Sequence, residues 1–150
     1  MVKYRIASKE DMNLLMQSRL EMLKVVNDLP SDYVFSDEFV TKSKEYFEKG
    51  NQITVLAIEK KVVGCASLCC IDLMPTFSHP TGKRAHLMNV YTSSQYRRRG
   101  IAYQMLNMLI CQARENGVTE ISLDATEMGR PLYKKCGFTE SDECMVLDLH

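Results

Sequence analysis

A chain of 150 residues, 45% hydrophobic and 25% charged, suffices for one globular domain with a proper core, so a single domain over 1–150 is expected. Lys plus Arg and Asp plus Glu both number 19, and this neutral balance excludes the broad electrostatic footprint of a nucleic-acid or acidic-membrane binder. No apolar run approaches the roughly 20 residues that span a bilayer, and the N-terminus MVKYRIASKED lacks the apolar core of a signal peptide, so no membrane partner and a cytoplasmic location are expected.

Val2 to Ile6 alternates weakly and predicts a short first strand. Ser8 stands three residues before Asp11, a capping-box spacing that opens a helix to about Asn27. Along it Met12, Leu15, Met16, Leu20, Leu23 and Val26 recur at helical intervals, as a core-facing stripe requires. Leu29-Pro30-Ser31-Asp32 breaks this helix, because proline lacks an amide and disfavours helical geometry in its predecessor. Ser36 caps a second helix with Phe39, Val40, Tyr46 and Phe47 on its apolar side and Gly50 as its stop. Ile53 to Ile58 and Val62 to Leu73 read as a β-hairpin turning at Lys60-Lys61, the second strand apolar on both faces and therefore central.

Met74 to Arg84, with Pro75, Pro80 and Gly82, reads as a surface loop. Ala85 to Tyr91 returns to strand and runs into the junction YTSSQYRRRGIA, after which a helix extends from about Arg99 to Asn116 with Gly117 as its stop. Thr119 to Ala125 predicts a strand, Arg130 to Lys135 a short helix with Pro131 in its first turn, and Phe138 to Glu140 and Glu143 to Leu149 two closing strands. The six cysteines, Cys65, Cys69, Cys70, Cys111, Cys136 and Cys144, form neither C-x-x-C pairs nor a disulfide framework and are read as reduced, packed thiols; no metal site is expected. His79, His86 and His150 fall in no Cys-His pattern that would activate a nucleophile.

The strand-to-helix junction carries the chemistry. A helix's first turn leaves backbone amides unpartnered beside the positive end of its dipole, which suits an anion such as phosphate. Gly100 removes a side chain where a ligand would approach, Ala102 keeps the next contact small, Arg97, Arg98 and Arg99 add cations, and Ser93 and Ser94 are upstream cap candidates.

The element order implies an α/β (α+β) arrangement around a mixed, largely antiparallel central sheet flanked by helices. In that order, Arg97-x-x-Gly100-x-Ala102 between strand and helix resembles the acyl-CoA pyrophosphate motif [RQ]-x-x-G-x-[GA] of the GNAT family of N-acyltransferases. About 30 residues downstream, Leu132-Tyr133-Lys134-Lys135-Cys136-Gly137-Phe138 is similar to the family's second signature, LY-x-x-x-GF. The resemblance covers essentially the whole chain, the first 80 residues mainly through element order.

The resemblance implies a sheet splayed between its fourth and fifth strands, acetyl-CoA as acyl donor, and direct attack by a primary amine in a ternary complex. Gly100, Ile101 and Ala102 with Arg97, Arg98 and Arg99 would hold the pyrophosphate. Asn89, Val90 and Tyr91 would lie along the pantetheine arm, with the amide at Val90 or Tyr91 facing the oxyanion; Asp124 and Ala125 would form the opposite wall. Tyr133 is the implied general acid, since a phenol near pKa 10 can assist a departing thiolate near 8.5. Glu21 on the first helix is the candidate base, ahead of Asp72, His79 and His86.

Two departures stand out: where the family often has Asn and Ala seven and four residues before the tyrosine, this chain has Thr126 and Gly129. Thr126 keeps a hydroxyl for a pantetheine contact. Asp28, Asp32, Asp37 and Glu38 would give the acceptor side an acidic rim, and the acceptor is a small-molecule or peptide amine. A homodimer is common in the family. The alternative reading, a non-catalytic acyl-CoA-binding sensor, keeps the phosphate junction but has no use for Tyr133.

Overall fold

The computed structural model describes residues 1–150. Five strands, β1 (Lys3–Ile6), β2 (Gln52–Glu59), β3 (Lys61–Asp72), β4 (Lys83–Thr92) and β5 (Glu120–Ser122), form one sheet in sequence order. Every pairing is antiparallel except β4 with β5. Four helices, α1 (Met12–Val26), α2 (Asp37–Lys49), α3 (Ile101–Glu115) and α4 (Arg130–Lys135), complete the domain. None is long and apolar enough to cross a membrane.

The local signals explain most boundaries. The Ser36 hydroxyl accepts the Phe39 N–H at 3.2 Å to start α2. Lys60, at φ 64°, makes the tight β2–β3 reversal, and Gly117, at φ 77°, closes α3. Alternation then divides the sheet's faces. Val55, Ala57, Ala66 and Leu68 pack beneath Met105, Leu106 and Leu109 of α3, the last three at most 1% exposed. Leu56 and Cys65 face the other way, against Leu15 of α1. Burying each leucine of this core stabilises the fold by roughly 2 kcal/mol.

Asp11 ties the entry of α1 to β1. Its carboxylate accepts two bonds from the Arg5 guanidinium, at 2.6 and 2.8 Å, and one from the Ser8 N–H at 2.8 Å. These donors hold its pKa well below the ordinary carboxylate range.

Three expectations are corrected. Ser93 and Ser94 do not cap α3: they begin a separate turn over Ser94–Tyr96, and Gly100 occupies the α3 N-cap. The strand expected over 119–125 is only Glu120–Ser122: its pairing with β4 ends at His86↔Ser122, although β4 itself continues to Thr92. The segments 138–140 and 143–149 are not strands: residues 139–150 make no backbone–backbone hydrogen bond. Their alternation is real, but no strand of the same chain lies alongside to satisfy it. Met145, Val146, Leu147 and Leu149 are 94%, 87%, 83% and 89% exposed.

Because the Asp11 pKa is lower in the folded than in the unfolded chain, its contribution is complete above the unfolded value near 3.8 and disappears as pH falls toward the folded value. Asp11→Asn should cost about 2 kcal/mol at pH 7 in urea unfolding, with the gap to wild type narrowing below about pH 4.

Candidate functional site

The pairing of β4 with its neighbours creates an opening. On one side β4 follows β3 from Asp72↔Lys83 to Gly64↔Thr92. On the other it meets β5 at only three positions, the last His86↔Ser122, where the His86 Nδ1 also lies 2.8 Å from the Ser122 Oγ. Beyond that rung the two chains part, leaving the β4 edge from 87 to 92 without a strand partner.

A bulge sits just past the parting. Ser67 pairs with Met88 and Cys65 with Tyr91, so Asn89 and Val90 have no cross-strand partners of their own. Asn89 takes φ 61°, the left-handed region that asparagine tolerates better than most side chains. Its side chain is held at both ends: Nδ2 donates to the Ser67 Oγ at 3.1 Å and Oδ1 accepts from Arg19 at 3.3 Å. Ser67 contacts the Thr54 hydroxyl at 2.7 Å, and Thr54 donates to Gln52 at 2.6 Å. The Cys65 thiol donates to the Asn89 carbonyl at 3.4 Å, and burial pushes its pKa up to about 12, making it a structural donor and a poor nucleophile. Cys65 is thus the packed thiol the sequence suggests, whereas nothing in the sequence marks Arg19, Thr54 or Ser67 for the site; the available signal is the pair of small hydroxyls, Thr54 and Ser67, in register within otherwise apolar strands.

At the far end of β4 the chain turns into α3. Gly100 is the N-cap at φ 76° and carries no capping side chain, and α3 has no acidic residue in its first turn. Its first helical bond is from Gln104 N–H to the Gly100 carbonyl at 3.0 Å, leaving the amides of Ile101 and Ala102 for another acceptor. A Cβ built on Gly100 would meet nothing within 4 Å, so the space over this turn is open. Arg97 is used locally, its Nε donating to the Thr92 carbonyl at 3.1 Å, and Arg99 lies 4.8 Å over the Tyr96 ring. Arg98 is exposed, at φ 62°.

Tyr133 stands on α4, packed on the α3 side of the sheet and edge-on to Phe138 with ring centroids 6.1 Å apart. Burial raises its pKa above 10, and its hydroxyl makes no hydrogen bond within the chain. Gly129 makes room for the ring: a Cβ there would fall 2.9 Å from Tyr133 Cε2 and 3.2 Å from the Thr126 Oγ1. Thr126 Oγ1 accepts the Gly129 N–H at 3.1 Å, so this hydroxyl shapes the turn into α4 while its own proton remains free. Asp124 is fully exposed, 3.5 Å from the His86 Nε2.

Glu21 lies across the sheet from Tyr133. With Ser18 of α1 it borders a small recess formed with Gly64, Cys65 and Tyr91, and it also edges an open groove of about 690 Å³ along α1. The junction residues, the bulge and Tyr91 therefore share β4 and its exit, Tyr133 and Thr126 share α4 and its approach, and Glu21 stands alone on the α1 side. Asp28, Asp32, Asp37 and Glu38 are exposed and make no ion pair.

Comparison with known proteins gives a consistent result. The model of the GNAT acetyltransferase family matches residues 19–138. N-acetyltransferase 8 of Homo sapiens is 30% identical over 105 residues, 67% of this chain and 44% of that protein. Probable glucosamine 6-phosphate N-acetyltransferase 2 of Oryza sativa subsp. japonica is 31% identical over 78 residues, 52% of this chain and 47% of that protein. The chain thus spans less than half the length of these two relatives. Among solved structures, a predicted acetyltransferase of Clostridium acetobutylicum, crystallised with acetyl-CoA, superposes with a TM-score of 0.84 at 30% identity, over 99% of this chain and 96% of that one.

The bulge separates backbone from side-chain effects. Asn89→Gly and Asn89→Ala both remove the amide, but only glycine accepts φ 61° freely. The alanine variant should be less stable than the glycine variant by roughly 1 kcal/mol in chemical denaturation.

Proposed function

The chain belongs to the GNAT acetyltransferase family, and on that premise we propose that it transfers an acetyl group from acetyl-CoA to the primary amine of a small-molecule or peptide acceptor, by direct attack in a ternary complex. The observation that carries the proposal is the unpaired edge of β4 leading into a helix start whose amides are uncapped and whose glycine leaves open space. The donor set suits the proposed acyl donor: free N–H groups and arginines for a pyrophosphate, and a free strand edge for an amide-bearing arm.

In this reading Gly100, Ile101 and Ala102 bind the pyrophosphate through backbone amides, with Arg97, Arg98 and Arg99 in support. Asn89, Val90 and Tyr91 offer their backbone to the pantetheine, facing Asp124 and Thr126 across the gap. The amine nitrogen attacks the thioester carbonyl carbon, and the bulge amide at Val90 steadies the charge that builds on the oxygen. As the carbon–sulfur bond breaks, the thiolate takes the phenolic proton of Tyr133, and Glu21 accepts the proton lost by the new ammonium. The free hydroxyl of Tyr133 and its raised pKa support the acid role, because the phenol stays protonated across the neutral range.

We further propose a homodimer. The extended segment 143–149 has a strand's alternation and unpaired backbone, while β5 has one neighbour and therefore a free edge. In a two-fold pair each copy would give its segment to the other's sheet, satisfying both at once. The unpaired cysteines support a reducing, cytoplasmic setting for this assembly.

Acetyl-CoA should raise the melting temperature of the wild type and release thiol in the presence of an amine panel. Gly100→Val should abolish the stabilisation, whereas Arg98→Gln should only reduce it. Tyr133→Phe should lower kcat about 100-fold with KM for acetyl-CoA within about twofold. The wild type should show no alkaline fall in kcat below pH 10, since the pKa shift is upward. Stabilisation without thiol release would identify a sensor instead, and no stabilisation would refute both readings. Deleting residues 141–150 should convert a dimer into a monomer in analytical ultracentrifugation; an unchanged mass would refute the strand exchange.

A further inference from the structure

Arg19 differs from the other arginines drawn into the fold. Arg5, Arg84 and Arg130 each meet a carboxylate oxygen, at 2.6, 2.9 and 2.6 Å. Arg19, half-buried on α1, meets none: its one hydrogen bond is to the neutral Asn89 Oδ1 at 3.3 Å, and the ionisable groups acting on it are the Cys65 and Cys69 thiols. Burial lowers its pKa, yet from a value of 12.5, so it stays a cation. A guanidinium carries five N–H donors, so most of this one's capacity is unspent. A partly desolvated charge with no counter-charge costs free energy, which a ligand oxyanion would offset.

Its position indicates which ligand. Cys69 lies in register with His86, in the first half of β4, and Asn89 is the bulge itself. The uncapped start of α3 comes after the last residue of β4, Thr92. Arg19 is therefore set toward the acceptor end of the strand, away from the amides that would hold a pyrophosphate. We infer that Arg19 receives an oxyanion of the acceptor, a carboxylate or phosphate carried by the same molecule whose amine is acetylated. This deepens the function proposed above and rests on it. The acceptor is then zwitterionic, anchored by its anion beside the bulge with its amine directed at the acetyl group.

The test uses matched acceptors with and without the anion: glucosamine 6-phosphate against glucosamine, and leucine against leucinamide. The wild type should favour the anionic member of at least one pair by 10-fold or more in kcat/KM, and which pair responds distinguishes phosphate from carboxylate. Arg19→Gln should erase that preference by raising KM for the anionic member about 10- to 100-fold, with a much smaller rise for the neutral member, because any slackening of Asn89 falls on both alike. Arg19→Lys should restore part of the preference, because it restores charge without the planar fork. Equal use of both members by the wild type overturns the assignment, as does a preference that survives in Arg19→Gln. Equal loss on neutral and anionic members in a folded Arg19→Gln, with no recovery in Arg19→Lys, overturns it too, by showing that Arg19 only holds Asn89. If no pair is turned over, calorimetry of the same pairs with the acetyl-CoA-loaded protein decides: tighter wild-type binding of an anionic member, lost in Arg19→Gln, supports the assignment, and equal binding overturns it. Failure of acetyl-CoA to bind at all is a separate result, against the acetyltransferase function itself.

Discussion

Everything in this domain follows from two incompatible demands on β4. It must stay hydrogen-bonded to β3, because that ladder closes the core, and it must abandon β5 midway, because a fully paired edge has nothing to offer a ligand. The extra residue at Asn89 reconciles them. It absorbs a register shift on the β3 side while the edge beyond His86 stays open on the other. An αL backbone and an exposed strand edge are both unfavourable in isolation. Here the cost of the first is met by buried polar contacts at Asn89.

The two ends of the opening are built by different means. At the α3 end the main contributor is an absence: no capping side chain, no acid in the first turn and no Cβ at Gly100, so the helix dipole and its amides face open space. At the α4 end the fit is steric. Gly129 gives up a methyl group so that the Tyr133 ring can pack against the α3 cluster, and Thr126 fastens the turn that carries it. Two glycines thus serve opposite purposes, one leaving a space empty and the other letting a ring fill it.

Much of this architecture was legible in the sequence because its signals are local. Ser36, Gly50, Lys60 and Pro131 each act within a few residues, and the elements they delimit came out close to where the sequence put them. The pyrophosphate-type junction was legible for the same reason, since its parts are consecutive. The bulge was not, because Asn89 in an apolar strand gives no sign that Ser67 and Arg19 will converge on it. The last residues show the converse failure. The alternation of Cys144 to Leu149 predicts a strand that the chain does not form, because a pattern specifies a face and cannot name the neighbour that covers it.

The chain of contacts from Gln52 through Thr54, Ser67 and Asn89 to Arg19 draws its members from β2, β3, β4 and α1. Each partner satisfies the next in a region where an unmet donor is costly. Substitutions along it are therefore not independent: loss of one hydroxyl changes what is tolerable two strands away. The same coupling would tie a replacement at one of these positions to replacements at the others, whereas α2, which has no buried residue, carries no such network. In a set of diverged sequences the floor of the site would be marked by correlated replacement of small polar residues, whether or not any one of them is invariant.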